Sequence, residues 1–183
     1  MFQNLKADYR RYGAGSPNVL GFLFRAAKKA GFRAVMLYRV GYWLRRHNCR
    51  FFAAVVERIM HHLCHCWIST NAEIGSGFLI AHVGGIVIGG STKIGKNCDV
   101  RQNVTFGGNF NKTDSQGLQQ PCVGDNVSFG AGAVVIGPVK IGSNSIIGAN
   151  SVVTRDVLEG VIVSGIPAVV IKQRWHQNSG RKL

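Results

Sequence analysis

The sequence predicts a mainly β chain: a solenoid of short stacked strands behind a small α-helical region. Three observations carry this. From Val123 to Val153 every sixth residue is bulky and apolar, through Phe129, Val135, Ile141 and Ile147, without a slip. A period of six is neither that of a helix nor that of a simple strand. Glycine follows four of these residues directly (Gly124, Gly130, Gly142, Gly148), and four positions after each of the first five comes a small or β-branched residue: Val127, Ala133, Val139, Ser145, Ser151. An inward aliphatic, a permissive corner and a second, small inward residue describe a short strand plus a turn. One such unit cannot bury its own apolar face, so the units must stack. Finally, 24 glycines in 183 residues suit many tight corners better than long helices.

Taken in chain order, residues 1–67 form the helical region. Between Val19 and Trp67, Phe22, Phe24, Phe32, Leu37, Tyr38, Val40, Trp43, Leu44, Phe51 and Phe52 recur at spacings of three and four, the mark of amphipathic helices. Gly13 to Asn18, with Pro17, predicts a loop, and Arg46-His47-Asn48 a break. These 67 residues carry twelve Lys and Arg against Asp8 and Glu57, so +10 of the chain's +14 lies here. Two readings stay open: a solvated basic face packed on its own core, or an anionic partner, either a membrane surface met peripherally or an acidic polymer. Nucleic acid is not expected, because no reader motif accompanies the charge. An odd number of irregularly spaced cysteines, five, and the lack of a charged-then-apolar leader predict reduced thiols and a cytoplasmic protein. No apolar run of about 18 residues exists to span a membrane.

His61-His62-Leu63-Cys64-His65-Cys66 has the residue types of a zinc site. With no second ligand cluster, and with a helix handing over to the first repeat at this point, packing or capping is the expectation and no metal is predicted. Gly90-Ser91-Thr92-Lys93-Ile94-Gly95-Lys96-Asn97 nearly spells a phosphate loop, but it sits inside the sixfold frame, where its glycines already have turn roles.

The β-helical region, residues 68–164, begins with Ile68, Ile74, Ile80 and Ile86. The frame then jumps two residues to Ile88 and runs on through Ile94, Val100 and Phe106. After Phe106 it breaks for 17 residues before Val123, one hexapeptide plus eleven, so a loop of about residues 108–121 must be extruded. The jump beside His82 and the loop beside Gly108 are where chemistry is expected. Residues 165–183 form a C-terminal cap and tail.

Several phrases set in this frame identify a family. Tyr38-Arg39-Val40-Gly41-Tyr42-Trp43-Leu44, His82 followed by Gly85-Ile86-Val87-Ile88-Gly89, Gln102-Asn103-Val104-Thr105-Phe106-Gly107-Gly108 and Gly165-Ile166-Pro167-Ala168 resemble the hexapeptide-repeat acyltransferases of the serine acetyltransferase branch. The resemblance covers roughly residues 30–172. It implies a left-handed parallel β-helix of triangular section and a homotrimer, alone or as a pair of trimers. It also implies acetyl-CoA lying along the groove between subunits.

By this resemblance His82 is the general base, which takes the acceptor hydroxyl's proton as the thioester is attacked. Backbone N–H groups at Gly107 and Gly108 are expected to serve the tetrahedral oxyanion. Gln102 stacks beside His82 and either orients the acceptor or imidazole or bonds along the stack; Asn103, Gln119 and Gln120 join it on the acceptor side. Gly130, Ala131, Gly148 and Ala149 are expected along the pantetheine arm, although the repeat itself already asks for small residues there. Lys172 and Arg174 are expected at the cofactor phosphates.

Three departures bear on the acceptor. Where the serine enzymes carry an aspartate before the catalytic histidine, this chain has Ala81. Gln119-Gln120 replaces an Arg-His pair, and no acid lies between Arg10 and Val56. An amino acid needs a carboxylate for its ammonium and a cation for its carboxylate. The tail Arg181-Lys182-Leu183 also lacks the isoleucine end that docks on cysteine synthase. The expectation is therefore an acetyl-CoA-dependent O-acetyltransferase acting on a sugar hydroxyl of a capsule or exopolysaccharide, of the colanic acid type, or of its precursor. Serine O-acetyltransfer is the alternative. A γ-type carbonic anhydrase would need three converging histidines where the repeats have one. A non-catalytic scaffold would leave the jump and the loop without purpose.

Overall fold

The computed structural model describes residues 2–13, 15, 17–110 and 112–174; the C-terminal tail lies outside them. Four helices come first: α1 (Phe2–Arg11), α2 (Val19–Lys28), α3 (Ala30–Arg46) and α4 (Arg50–Cys64). The expected loop separates α1 from α2, and the expected break falls at residues 47–49 between α3 and α4. Helix α1 was not anticipated, nor was the interruption at Lys29 that divides α2 from α3. Asn18 caps α2 by accepting from Gly21 N–H at 2.7 Å. Leu5, Tyr9, Phe22, Ala26 and Phe32 close a small second core among the helices, with Tyr9 and Phe32 edge to face at 5.6 Å.

The strands are β1 (Cys66–Ile68), β2 (Glu73–Ile74), β3 (Leu79–Ile80), β4 (Ile86–Ile88), β5 (Lys93–Ile94), β6 (Asp99–Val100), β7 (Thr105–Gly107), β8 (Cys122–Val123), β9 (Ser128–Phe129), β10 (Val134–Ile136), β11 (Lys140–Ile141), β12 (Ile146–Ile147), β13 (Val152–Val153), β14 (Val161–Ser164) and β15 (Val169–Gln173). They form three parallel sheets: β1-β4-β7-β10-β13, β2-β5-β8-β11 and β3-β6-β9-β12-β14, the last closed by antiparallel β15. Every third strand stacks on the same face, so the chain is a parallel β-helix of about five turns with three faces. The sixfold residues from Ile68 to Val153 are all buried and make one continuous core, joined by the second inward set Val127, Ala133 and Val139.

Pairing registers give each turn's length. Val135 lies over Phe106 and under Val153, partners 29 and 18 positions away, and Phe106 is 18 from its partner Ile88. Val100 is 20 from its partner Ile80. Eighteen is three hexapeptides; the turn through His82 therefore carries two residues more, and the turn through the extruded loop eleven more. Both surpluses fall at corners, so neither disturbs the inward residues.

No coil lies beneath the first turn, so the lower edges of β2 and β3 expose backbone groups that need partners. Side chains from the helices supply them. Tyr38 Oη donates to Ala72 C=O at 2.7 Å and accepts from Ile74 N–H at 3.2 Å. Tyr12 Oη does the same at Ile80, accepting at 2.7 Å and donating at 3.2 Å, and burial pushes both phenols well above the ordinary tyrosine range. Arg39 donates to the carbonyls of Ile74 and Gly75 and to both oxygens of Asp8, at 2.8 and 3.1 Å; Asp8 in turn accepts from Phe78 N–H at 2.8 Å. Arg11 donates to Gly77 C=O at 2.9 Å and Asn97 C=O at 2.8 Å.

The charge reading is corrected here. Besides Arg39 and Arg11, Arg45 donates to Thr70, Arg25 to the carbonyls of Tyr9 and Gly13, and Arg33 to Ala26 C=O. A large share of the basic side chains in this region is thus directed inward as backbone ligands, and the +10 is not a uniform surface charge. Among the described residues no helix is long and apolar enough to cross a membrane.

Candidate active site

The two surplus residues sit between Ala81 and Gly85. Ala81 N–H still bonds Val100 C=O at 3.0 Å, and Gly84 C=O accepts from Asn103 N–H at 2.8 Å, so the ladder is intact on both sides and His82 and Val83 bulge from the corner. The chain re-enters at Gly85, whose φ of +63° and tight contact with the Asn103 amide admit no side chain. His82 is left exposed.

Opposite the bulge lies the helical region, held close because Gly31 puts the start of α3 against Ile80 C=O, where a Cβ would collide. Between them is a cleft of about 490 Å³. His82, Ala81 and Val83 line its solenoid side; Tyr12, Lys28, Lys29 and Gly31 line the other, with Arg11 at the base. No carboxylate is among its lining residues. Arg11 is matched by Asp99 at 3.6 Å, whereas Lys28 and Lys29 are exposed and, among the described residues, form no ion pair. Sequence reasoning missed Tyr12, Lys28 and Lys29. The only available signal was the paired lysines at the end of an apolar helical run, which are equally the pattern of a solvated helix end.

Above the bulge runs a corner column. Gly132 N–H bonds Gln102 C=O at 2.9 Å and Asn150 N–H bonds Ala131 C=O at 2.8 Å, so Gln102, Ala131 and Ala149 follow one another up the corner that begins at His82. Asn103 is in the same column. Ala149 is exposed and Ala131 half-buried, as a surface for a bound arm requires. Gln102 Oε1 is buried without a hydrogen-bond partner, which the stacking role does not account for.

Other expected residues are elsewhere. Gly130 and Gly148 face the next turn, where a Cβ would meet Ala149 N and Ser164 Oγ, so they permit stacking and do not line the column. Gly107 and Gly108 lie at the far end of β7, where Gly107 C=O accepts from Gly137 N–H at 2.9 Å. A three-residue strand at about 3.3 Å per residue separates that corner from His82 by roughly 10 Å, so within one chain they do not serve the same point. Gln119 and Gln120 are on that second corner too. Gln120 Oε1 accepts from Ser91 N–H at 2.9 Å and Thr92 Oγ1 at 3.1 Å, a structural role in place of the expected acceptor role. Lys172 is exposed on β15 opposite Ile162, while Arg174 donates to Asn144 C=O at 3.0 Å.

The histidine–cysteine cluster ends a helix. His65 is the left-handed C-cap of α4 with its N–H on His61 C=O, Cys66 Sγ donates to Cys64 C=O, and His61 packs on Trp67. No group of three or more His, Cys, Asp or Glu among the described residues is arranged to hold a metal ion.

Residues 123–155 match the family model described as bacterial transferase hexapeptide (six repeats). A serine acetyltransferase of Synechococcus elongatus is 36% identical over 171 residues, covering 93% of this chain and 69% of that relative. The chain belongs to the serine acetyltransferase family. Membership makes it an acyltransferase. Among solved structures, the serine acetyltransferase of Neisseria gonorrhoeae superposes with a TM-score of 0.84 at 28% identity, covering 97% of this chain and 67% of that one. The Brucella abortus serine acetyltransferase in complex with coenzyme A gives 0.82 at 26% identity, covering 93% and 67%. The chain thus spans about two thirds of the length of these relatives.

This similarity overturns the expected sugar acceptor and the placement among capsule and exopolysaccharide enzymes. The sugar expectation rests on the loss of the Arg-His pair at Gln119-Gln120, yet the cleft that holds His82 is also lined by Lys28 and Lys29, 54 and 53 positions before it.

Proposed function

We propose that this family member is a serine O-acetyltransferase that moves the acetyl group of acetyl-CoA to the hydroxyl of serine. The observation that carries the reading is His82 standing free on a two-residue bulge at the mouth of a cleft, at the foot of a column of small residues. The hydroxyl oxygen attacks the thioester carbonyl carbon while the His82 imidazole takes its proton. The resulting tetrahedral intermediate collapses with cleavage of the C–S bond, and the imidazolium returns the proton to the departing thiolate. Ala131 and Ala149 give the pantetheine arm a shallow path to that point, and Gln102 Oε1 is an acceptor in search of a donor beside it.

A homotrimer belongs to the same reading. The backbone donors at Gly107 and Gly108 are one corner away from His82, so a neighbouring copy is needed to bring such a corner alongside. Phe110 at the root of the loop and Trp67 on β1 are exposed apolar side chains that a neighbour would cover. Light scattering on the purified protein should return the mass of three chains, or six if trimers pair.

The activity test is O-acetylserine formation from L-serine and acetyl-CoA, followed by mass spectrometry. His82→Ala should lower kcat by roughly 10²–10⁴ with little change in KM for acetyl-CoA. Absence of O-acetylserine, or a variant keeping more than about half the activity, would refute the proposal.

A further inference from the structure

The acceptor cleft has cations and no anion. Its lysines approach from the α2–α3 junction, two consecutive residues with Lys29 at the interruption itself, so both ammonium groups are carried on one rigid corner of backbone. The Lys28 ammonium sits over the exposed Phe24 ring at 4.3 Å, a contact that holds it without neutralising it. Asp99, which reaches the cleft residue Arg11, also meets Arg101 and the Ser128 hydroxyl, and Asp8 is enclosed with Arg39. An incoming carboxylate therefore finds two donors with uncompensated charge, and an incoming ammonium finds three cationic neighbours and, among the described lining residues, no carboxylate.

From this we infer that Lys28 and Lys29 read the carboxylate of the acceptor and that its α-ammonium goes unread, so hydroxy acids lacking the amine are acetylated as serine is. The inference rests on the serine reading for the acceptor's size and hydroxyl, and adds which of its charges is recognised. A charge-assisted hydrogen bond contributes enough that losing both lysines should raise KM by about 10- to 100-fold. The ammonium, facing Arg11 and the lysines, is expected to turn toward solvent.

The test separates recognition from turnover. L-Glycerate keeps serine's carboxylate and hydroxyl and replaces the amine by a second hydroxyl; L-serine methyl ester keeps the amine and hides the carboxylate. With acetyl-CoA, the wild-type kcat/KM for L-glycerate should fall within about tenfold of that for L-serine, while the ester should be poorer through KM. In the Lys28→Gln/Lys29→Gln protein, KM for serine and glycerate should rise and the preference over the ester should vanish, with KM for acetyl-CoA unchanged. Both lysines are exposed, so this variant should fold. Independently of turnover, the His82 ring proton resonance should shift saturably on titration with L-glycerate in the wild type and not in the double variant. Serine turnover without any saturable glycerate shift, or with a shift the double variant keeps, overturns the inference alone. A lysine-dependent shift without serine acetylation overturns the serine reading alone.

Discussion

Asp8→Ala strikes the point at which α1, α3 and the first turn of the solenoid are joined. The carboxylate is fully buried and the Arg39 side chain only 3% exposed; between them they hold Phe78 N–H and the carbonyls of Ile74 and Gly75. Truncation leaves a guanidinium in a dry site with carbonyl partners only, and leaves Phe78 N–H without its acceptor. Removing one member of a buried ion pair costs about 3–5 kcal/mol, and an orphaned N–H about 1–3 kcal/mol. The two penalties describe one rearranged pocket and overlap, so roughly 4 kcal/mol is expected. At about 2–4 °C per kcal/mol for a chain of this size, Tm should fall by roughly 8–16 °C. Asp8→Asn, which keeps an acceptor for Phe78, should lose less. Replacing both charges, as Asp8→Leu with Arg39→Met, strands no charge but leaves Phe78 N–H and the carbonyls of Ile74 and Gly75 without these partners, so only part of the loss should return. Calorimetry at one fixed protein concentration is the appropriate assay, since assembly contributes by mass action. If Asp8→Ala lies within about 1 kcal/mol of wild type, the pair does not close this edge.

Other outcomes follow from the column and the core. Ala149→Leu fills the exposed step of the corner column and should weaken acetyl-CoA binding at least about tenfold while leaving the trimer mass unchanged; unaltered affinity measured by calorimetry would put the arm elsewhere. Burial pushes the Cys98 thiol up to about 11 from its ordinary 9.0. The unfolded chain gives up this proton first, so stability from this group is complete below pH 9 and declines as pH rises from 9 to about 11. Urea unfolding at intervals across that range should show a shallower decline in Cys98→Ala than in wild type; parallel curves would refute the assignment. At pH 8 an alkylating reagent should modify the partly exposed Cys49 and Cys122 well ahead of buried Cys98.

The solenoid was legible because its signal is periodic. Each inward residue from Ile68 to Val153 is named by counting six, and the two places where counting fails are the two corners that carry extra chain. The His82 bulge was readable as a two-residue jump for the same reason. The edge cap was not, because Asp8, Tyr12, Tyr38 and Arg39 touch backbone 34 to 70 positions away and follow no period. One clue existed: Asp8 is the only acid in the first 56 residues, and an isolated acid amid so many cations is a candidate for burial. A charge count does not mark the lysines of the cleft, because it cannot tell a cation that lines a cleft with His82 from one at a solvated helix end. Gly107 and Gly108 stand one corner away from His82 within the chain, and linear order does not tell which corner of a neighbouring copy faces which.

The turn lengths have a bearing on how such an enzyme changes its chemistry. Turns of 20, 18, 29 and 18 residues share one core and one set of registers, because the additions are confined to vertices where the strands have already ended. A vertex is thus an open slot: chain can be spliced in or trimmed there while the three walls keep their stacking. Selectivity in this architecture can drift by grafting and pruning, one vertex at a time, and a relative with a different acceptor need differ by only a few inserted residues on an unchanged frame.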